Sequence, residues 1–363
     1  MYIQENHFKR EHNNFDALRL LAALLVFASH STGFYLPAKE PLALLTNGAF
    51  HLSHLGLFIF FTLSGFLVCR SLDRSFKDYF RNRLLRIVPA LAIWTILMVF
   101  LVGPLFTTLP IPEYYKRSQT WYFLIQNMIP VQVAFYLPGV FDGKAVNPSL
   151  WTIPLEIKCY IALALAYLTA LLKRRQLMAA GWIILLIASA CATNNHTPIN
   201  NFLHPFKQSI QLAACFVGGT TCYLYRDQLP FKTAIWLLLL GSWLGSWAIS
   251  PAALAVTTNL FFVYTILGLG VSRKVLPALR IDISYGIYLY GAPVQYIIYT
   301  LAGNQLTYWQ FIITTTAGTI LFATLSWLGI EKRALHLKRH TLIPIRQPAS
   351  QPEDEAYHHK KQA

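Results

Sequence analysis

Ten apolar runs divide the sequence between residues 15 and 330: 15–35, 53–72, 84–104, 148–172, 176–193, 208–225, 231–249, 252–271, 282–302 and 307–330. Each is close to the ~20 residues that a helix needs to cross a bilayer. In hydrocarbon every backbone N–H and C=O must be satisfied within its own segment, so runs of this kind fold as helices. The expected fold class is therefore an all-α integral membrane protein with about ten transmembrane helices. Charged residues are 12% of the chain, about half the ~25% usual in soluble domains. No soluble domain is visible outside the runs. A further apolar stretch, residues 121–140, is interrupted by Pro130, Pro138 and polar residues. It is expected to be interfacial or re-entrant rather than a span.

The net charge of +15 would point to nucleic acid in a soluble protein. Here it follows the topology and implies no nucleic-acid partner. Of the 30 Lys and Arg residues, 23 fall on the termini and on one set of connecting segments, and 5 on the other set. The positive-inside rule then places both termini in the cytoplasm. Residues 1–14 are expected as a cytoplasmic N-terminal segment and 15–331 as the ten-span domain. Residues 332–363 form a polar cytoplasmic tail too poor in apolar residues to fold. The first run lacks a small-residue cleavage site and is read as a retained span. Cys69, Cys159, Cys191, Cys215 and Cys222 show no CxxC or CxxxC spacing, so neither metal nor disulfides are expected.

The first run carries Asp16, Arg19 and His30. A charge inside a span costs roughly 2.5–3.5 kcal/mol or more, so it faces a bundle interior or a wet cavity. Arg19 and His30 are eleven residues apart, about three helical turns, and share a face roughly 16 Å apart along the axis. Asp16 lies one turn before Arg19. Two readings fit this spacing: a polar stripe lining a site, or an interfacial Asp16–Arg19 pair with His30 at the far end.

Four other stretches carry polar or kinking residues. In "GLFIFFTLSGFLVCR", Ser64 and Gly65 interrupt an aromatic run; glycine admits close approach by a helix or a ligand. In "DYFRNRLLRIVPAL", Arg83 and Arg86 lie one turn apart. They suit either bidentate phosphate binding or ordinary positive-inside anchoring. In "NPSLWTIPLEIKCY", Glu156 follows Pro154 near the expected outer start of the fourth span, where the helix dipole favours a carboxylate. "ISYGIYLYGAPV" sets small residues among interfacial tyrosines.

Taken in order, these five stretches resemble the membrane acyltransferase-3 family over roughly residues 13–332. The family's Arg-x10-His motif is matched by Arg19 and His30. Its Ser-Gly motif is matched in "FFTLSGFL", Arg-x-x-Arg by Arg83 and Arg86, the Trp-to-Glu motif by Trp151 and Glu156, and Ser-Tyr-Gly-x-Tyr-Leu by "SYGIYLY". Many members have a histidine after the Tyr-Leu segment; here Gly291 stands there. An appended extracytoplasmic hydrolase-like domain, which some members carry, is not expected here.

The resemblance implies an O-acyltransferase of the bacterial inner membrane, most often an O-acetyltransferase. Its donor would be acyl-CoA, here acetyl-CoA, and its acceptor a hydroxyl of a cell-surface glycan or lipid-linked saccharide. His30 would then act as general base or as acyl carrier. Arg19, Asp16 and Glu156 would be the other catalytic-site residues, with Arg83, Arg86, Ser64 and Gly65 on the donor. Two other classes fit a polar stripe in a bundle: a transporter with a proton relay, and a polysaccharide-export partner without chemistry. A transporter commonly shows internal repeats, and the two halves of this chain show no convincing similarity.

Overall fold

The computed structural model describes residues 2–35, 40–194, 199–274 and 281–337. The described part is all-helical, apart from one isolated antiparallel bridge between Thr107 and Val140. Ten long helices lie on the ten apolar runs: α1 (Phe15–Tyr35), α2 (Leu52–Arg74), α3 (Phe76–Leu97), α4 (Thr152–Leu168), α5 (Arg175–Thr193), α6 (Lys207–Leu224), α7 (Thr233–Ser246), α8 (Pro251–Val271), α9 (Ser284–Ala302) and α10 (Tyr308–Ser326). Seven are long and apolar enough to cross a membrane: α1, α2, α3 with its continuation to Phe106, α4 with the preceding turn Pro148–Trp151, α5, α8, and α10 with its continuation to His336.

The other three depart from the expected span for physical reasons. α7 has 14 residues, about 21 Å of helix, which is short of a ~30 Å core. α6 and α9 carry serines, threonines, glycines, glutamines and tyrosines that lower their hydropathy. They hold these residues inside the protein: from Gly286 to Gln295 every residue of α9 is buried. The stretch 121–140 does not cross as a helix. It forms the eleven-residue helix Ser118–Met128, about 16 Å long, and then an irregular return. Asn127 pins that return by donating to the Ala134 carbonyl (3.0 Å) and accepting from its N–H (3.1 Å). The tail from Lys338 onward lies outside the described residues, as do Lys39 and Arg280 of the charge count.

α2 is the hub of the bundle. Its span is 67% buried, more than any other. It packs most extensively on α6 and α1 and also meets α3, α4 and α8. Small residues permit the α2–α6 contact. A Cβ at Gly65 would sit 1.9 Å from the Phe216 carbonyl oxygen, and one at Gly219 would sit 2.2 Å from the Thr62 carbonyl oxygen. Thr220 then donates to the Gly65 carbonyl at 3.2 Å. Such close backbone approach is how helices gain dispersion contact where lipid gives no hydrophobic drive. Polar side chains tie the remaining elements together. Ser75 caps α3 by accepting from the Asp78 N–H. The Tyr79 hydroxyl donates to the Tyr160 carbonyl (2.7 Å), joining α3 to α4.

Candidate active site

Five helices converge on one cavity of about 780 Å³. α1 contributes Arg19, α2 Ser64, α3 Arg83 and Arg86, α4 Thr152, Glu156 and Tyr160, and α9 Ser284, Tyr285 and Tyr288. Local geometry explains the convergence. Arg83 and Arg86 are three residues apart in α3 and present one face, and Glu156 and Tyr160 do the same in α4. The acidic groups are already engaged. Ser64 Oγ donates to Glu156 Oε1 (3.2 Å) and meets the Tyr160 hydroxyl (3.0 Å), which itself donates to Glu156. Arg86 pairs with Asp282 at 3.2 Å, and Ser284 Oγ donates to the other Asp282 oxygen at 2.6 Å.

The three arginines therefore differ. Arg86 is neutralised by Asp282. Arg19 shares Asp16, 3.8 Å away, with Arg10. Arg83 has no carboxylate within 4 Å among the described residues, and its Nε is buried without a hydrogen-bond partner. Its guanidinium lies over the Tyr160 ring at 5.8 Å, so the cavity holds one cation that no carboxylate of the described residues neutralises.

His30 lies elsewhere. It is absent from the arginine cavity and forms part of the wall of two others. One, of about 380 Å³, also includes His54, Ser149, Trp151 and Gln208. The second, of about 690 Å³, includes Lys144, Gln295, Tyr296 and Tyr299. Leu57, Thr152 and Tyr288 border both the arginine cavity and the smaller His30 cavity. The two cavities therefore adjoin at these three residues. The Tyr288 hydroxyl bonds the Ser149 carbonyl and Thr152 Oγ1, so this wall is cross-linked. The ring partner of His30 is Ser149: Nε2 and Oγ are 3.0 Å apart.

Arg19 and His30 are on α1 as expected, but they open into different cavities. Glu156 faces Ser64 and Tyr160 in the arginine cavity, and Ser149 holds the His30 ring. Asp16 stands behind Arg19, bonded to Arg10. Gly65, expected at the donor, faces α6 because Phe216 occupies the space a side chain would need. Gly291 sits against Phe27, whose ring carbon is 3.1 Å from where a Cβ would project, so that place is filled by α1.

Five further residues emerge from the fold: Asp282, Ser149, Tyr160, Tyr288 and Gln295. Each had a visible signal. Ser149, Tyr160 and Tyr288 lie within the quoted motifs, Asp282 is an acid two residues ahead of Ser284, and Gln295 is a lone amide in an apolar run.

The sequence profile of the acyltransferase-3 family, described as an acyltransferase domain, matches residues 12–331. A relative named "Nodulation protein 10" from Rhizobium leguminosarum bv. viciae is 30% identical over 363 residues, covering 92% of this chain and 95% of the relative. A relative named "O-acetyl transferase" from Shigella phage Sf6 is 26% identical over 336 residues, covering 89% of this chain and 96% of the relative. No solved structure matches the chain significantly. A family match that spans nearly the whole bundle, on a chain with seven apolar helices long enough to cross a membrane, identifies this protein as a membrane acyltransferase of the acyltransferase-3 family.

Proposed function

We propose that the protein is an O-acyltransferase, specifically an O-acetyltransferase, that moves an acetyl group from acetyl-CoA to a hydroxyl of a cell-surface glycan or lipid-linked saccharide. The observation that carries this reading is the Arg83 guanidinium, without a carboxylate partner among the described residues, beside Arg19 and Arg86 in a cavity that adjoins one lined by His30. The name of the phage relative supports the choice of acetyl and of oxygen as acceptor atom. The membrane is the bacterial inner membrane with both termini cytoplasmic. The basic bias of the connecting segments and the bacterial and phage origin of the relatives support this placement.

In this mechanism the CoA phosphates bind at Arg83 and Arg86 with Arg19 deeper in, and the thioester reaches past Leu57, Thr152 and Tyr288. The acceptor hydroxyl gives its proton to the unprotonated ring nitrogen of His30. Its oxygen attacks the thioester carbonyl carbon, the C–S bond breaks, and the departing thiolate takes the proton from His30. In the tautomer whose Nε2–H donates to Ser149 Oγ, Nδ1 keeps the lone pair that the base needs. Glu156 holds Ser64 and Tyr160 in the donor cavity, and Asp282 keeps Arg86 in place.

Purified protein incubated with acetyl-labelled CoA and a saccharide acceptor tests the reading. Release of free CoA with label appearing in an ester is expected. Thioester that survives intact alongside bound CoA would overturn it.

A further inference from the structure

The wider of the two cavities beside His30 contains a feature that the acyl-transfer chemistry leaves unused. Gln295 is fully buried in the middle of α9, and it lines this cavity of about 690 Å³. Both hydrogens of its amide nitrogen are committed: Nε2 donates to the Phe27 carbonyl (3.1 Å) and to Ser31 Oγ (2.6 Å). Ser31 in turn donates to the same Phe27 carbonyl. The amide therefore has one orientation, because turning it over would set its oxygen against the Phe27 carbonyl. In this orientation Oε1 is buried and has no partner. A buried acceptor left in that state costs about 1–3 kcal/mol. It is a place prepared for a donor.

The surrounding wall indicates what that donor belongs to. Phe34 packs against Tyr296 and Tyr299 with ring centroids 4.9 and 5.2 Å away, giving an apolar, aromatic side opposite the polar one. Lys144 lies over the Tyr299 ring at 5.9 Å. Aromatic faces for C–H surfaces, a fixed acceptor for a hydroxyl and an imidazole in one cavity suit a compact ring with several hydroxyls. They do not suit a long apolar chain with a single hydroxyl.

We propose that this cavity is the acceptor subsite and that it reads two hydroxyls of one polyol ring: one yields its proton to His30, and a neighbouring one donates to Gln295 Oε1. Gln295 is then a specificity-determining residue that selects a polyol over a simple alcohol. The assignment of the His30 hydroxyl as the reacting one rests on the acyl-transfer reading; the binding of the polyol does not.

The test uses occupancy of the cavity and not turnover. The purified full chain is treated with diethyl pyrocarbonate, and carbethoxylation of His30 is read by peptide mass spectrometry. Methyl glycosides of the common hexoses are the ligands, with cyclohexanol as the single-hydroxyl control. At least one glycoside should protect His30 at a concentration where cyclohexanol does not. Its monodeoxy analogues should include one about tenfold weaker, the size of one hydrogen bond. Gln295→Met should weaken the parent glycoside by a similar factor and erase its advantage over that analogue, with CoA binding retained as evidence of folding. If the variant does not fold, the deoxy series on the unaltered protein decides alone. Protection by cyclohexanol equal to that by glycosides, absence of protection by every glycoside, or a folded Gln295→Met protein protected like the parent would overturn the proposal. Protection as expected without ester formation from labelled acetyl-CoA would keep the subsite and overturn acyl transfer instead.

Discussion

At the residue scale the proposed mechanism divides the chemistry between His30 and Arg83. Loss of a positioned general base typically costs 10²–10⁴ in rate, so His30→Ala should reduce acetyl transfer by about that factor while the detergent-extracted protein stays monodisperse. Near-normal transfer by a folded variant would remove His30 from the mechanism. Ser149→Ala is milder: it frees the ring without removing it, and kcat should fall about tenfold with CoA affinity unchanged. The arginines separate in a different way. Arg83 has no acidic partner among the described residues, so Arg83→Ala should weaken CoA binding with little loss of stability, and Arg83→Lys should restore binding only in part because a point charge lacks the forked geometry. Arg86→Ala leaves the part-buried Asp282 without its ion-pair partner, which is destabilising by less than the ~3–5 kcal/mol of a fully buried charge. Asp282→Asn in the same chain should recover most of the thermal stability without recovering CoA affinity. If CoA binding is unchanged in both alanine variants, the two arginines serve topology only.

At the scale of elements, α2 holds the site together through residues that touch no ligand. Gly65 lies next to Ser64 in sequence but is turned about 100° from it on the helix, into the Phe216 backbone. Backbone cannot yield as a side-chain tip can, so Gly65→Ala should force α2 and α6 apart. A cost of at least the 1–3 kcal/mol typical of overpacking is expected, read as a lower melting temperature, and Gly219→Ala should behave alike. Gly291→Ala meets only the Phe27 ring, which can shift by a few tenths of an ångström, and should be tolerated better. Equal melting temperatures for the Gly65 and Gly291 variants would show that the α2–α6 approach is not tight. The sequence made Gly65 visible but not its direction, because Ser-Gly in a span is compatible with either a ligand or a helix at the gap.

For the whole molecule the decisive quantity is sidedness. In the proposed orientation Arg83 and Arg86 would lie toward the cytoplasm, and the cavity with Gln295 and Lys144 toward the outside. Asn47 and Lys173 are exposed at what would be opposite faces. In a background without native cysteines, Asn47→Cys should react with an impermeant thiol reagent in intact spheroplasts, and Lys173→Cys should react only after lysis. The reverse pattern would place the arginines on the outer face and end their assignment to a cytoplasmic CoA.

What the sequence determined by itself is what repeats locally. Apolar runs of span length specify helices because hydrocarbon allows no other way to satisfy the backbone, and the three charged or ionisable residues of the first run marked it as facing an interior. Arg19, Ser64, Arg83, Arg86 and Glu156 were each legible as polar exceptions in apolar context. Only the tertiary structure decided which of them meet. Arg19 and His30 lie on one helix face, yet three turns of axis and the Leu57–Thr152–Tyr288 wall from three other helices put them in separate cavities. Asp282 became the partner of Arg86 across 196 positions of sequence, and Gln295 became an acceptor without a donor only once Phe27 and Ser31 had taken both its hydrogens. Periodicity reports the direction of a side chain relative to its own helix axis. Which neighbour it finds there depends on how the helices cross, and that is settled by close approaches such as Gly65 on Phe216, which no single segment contains.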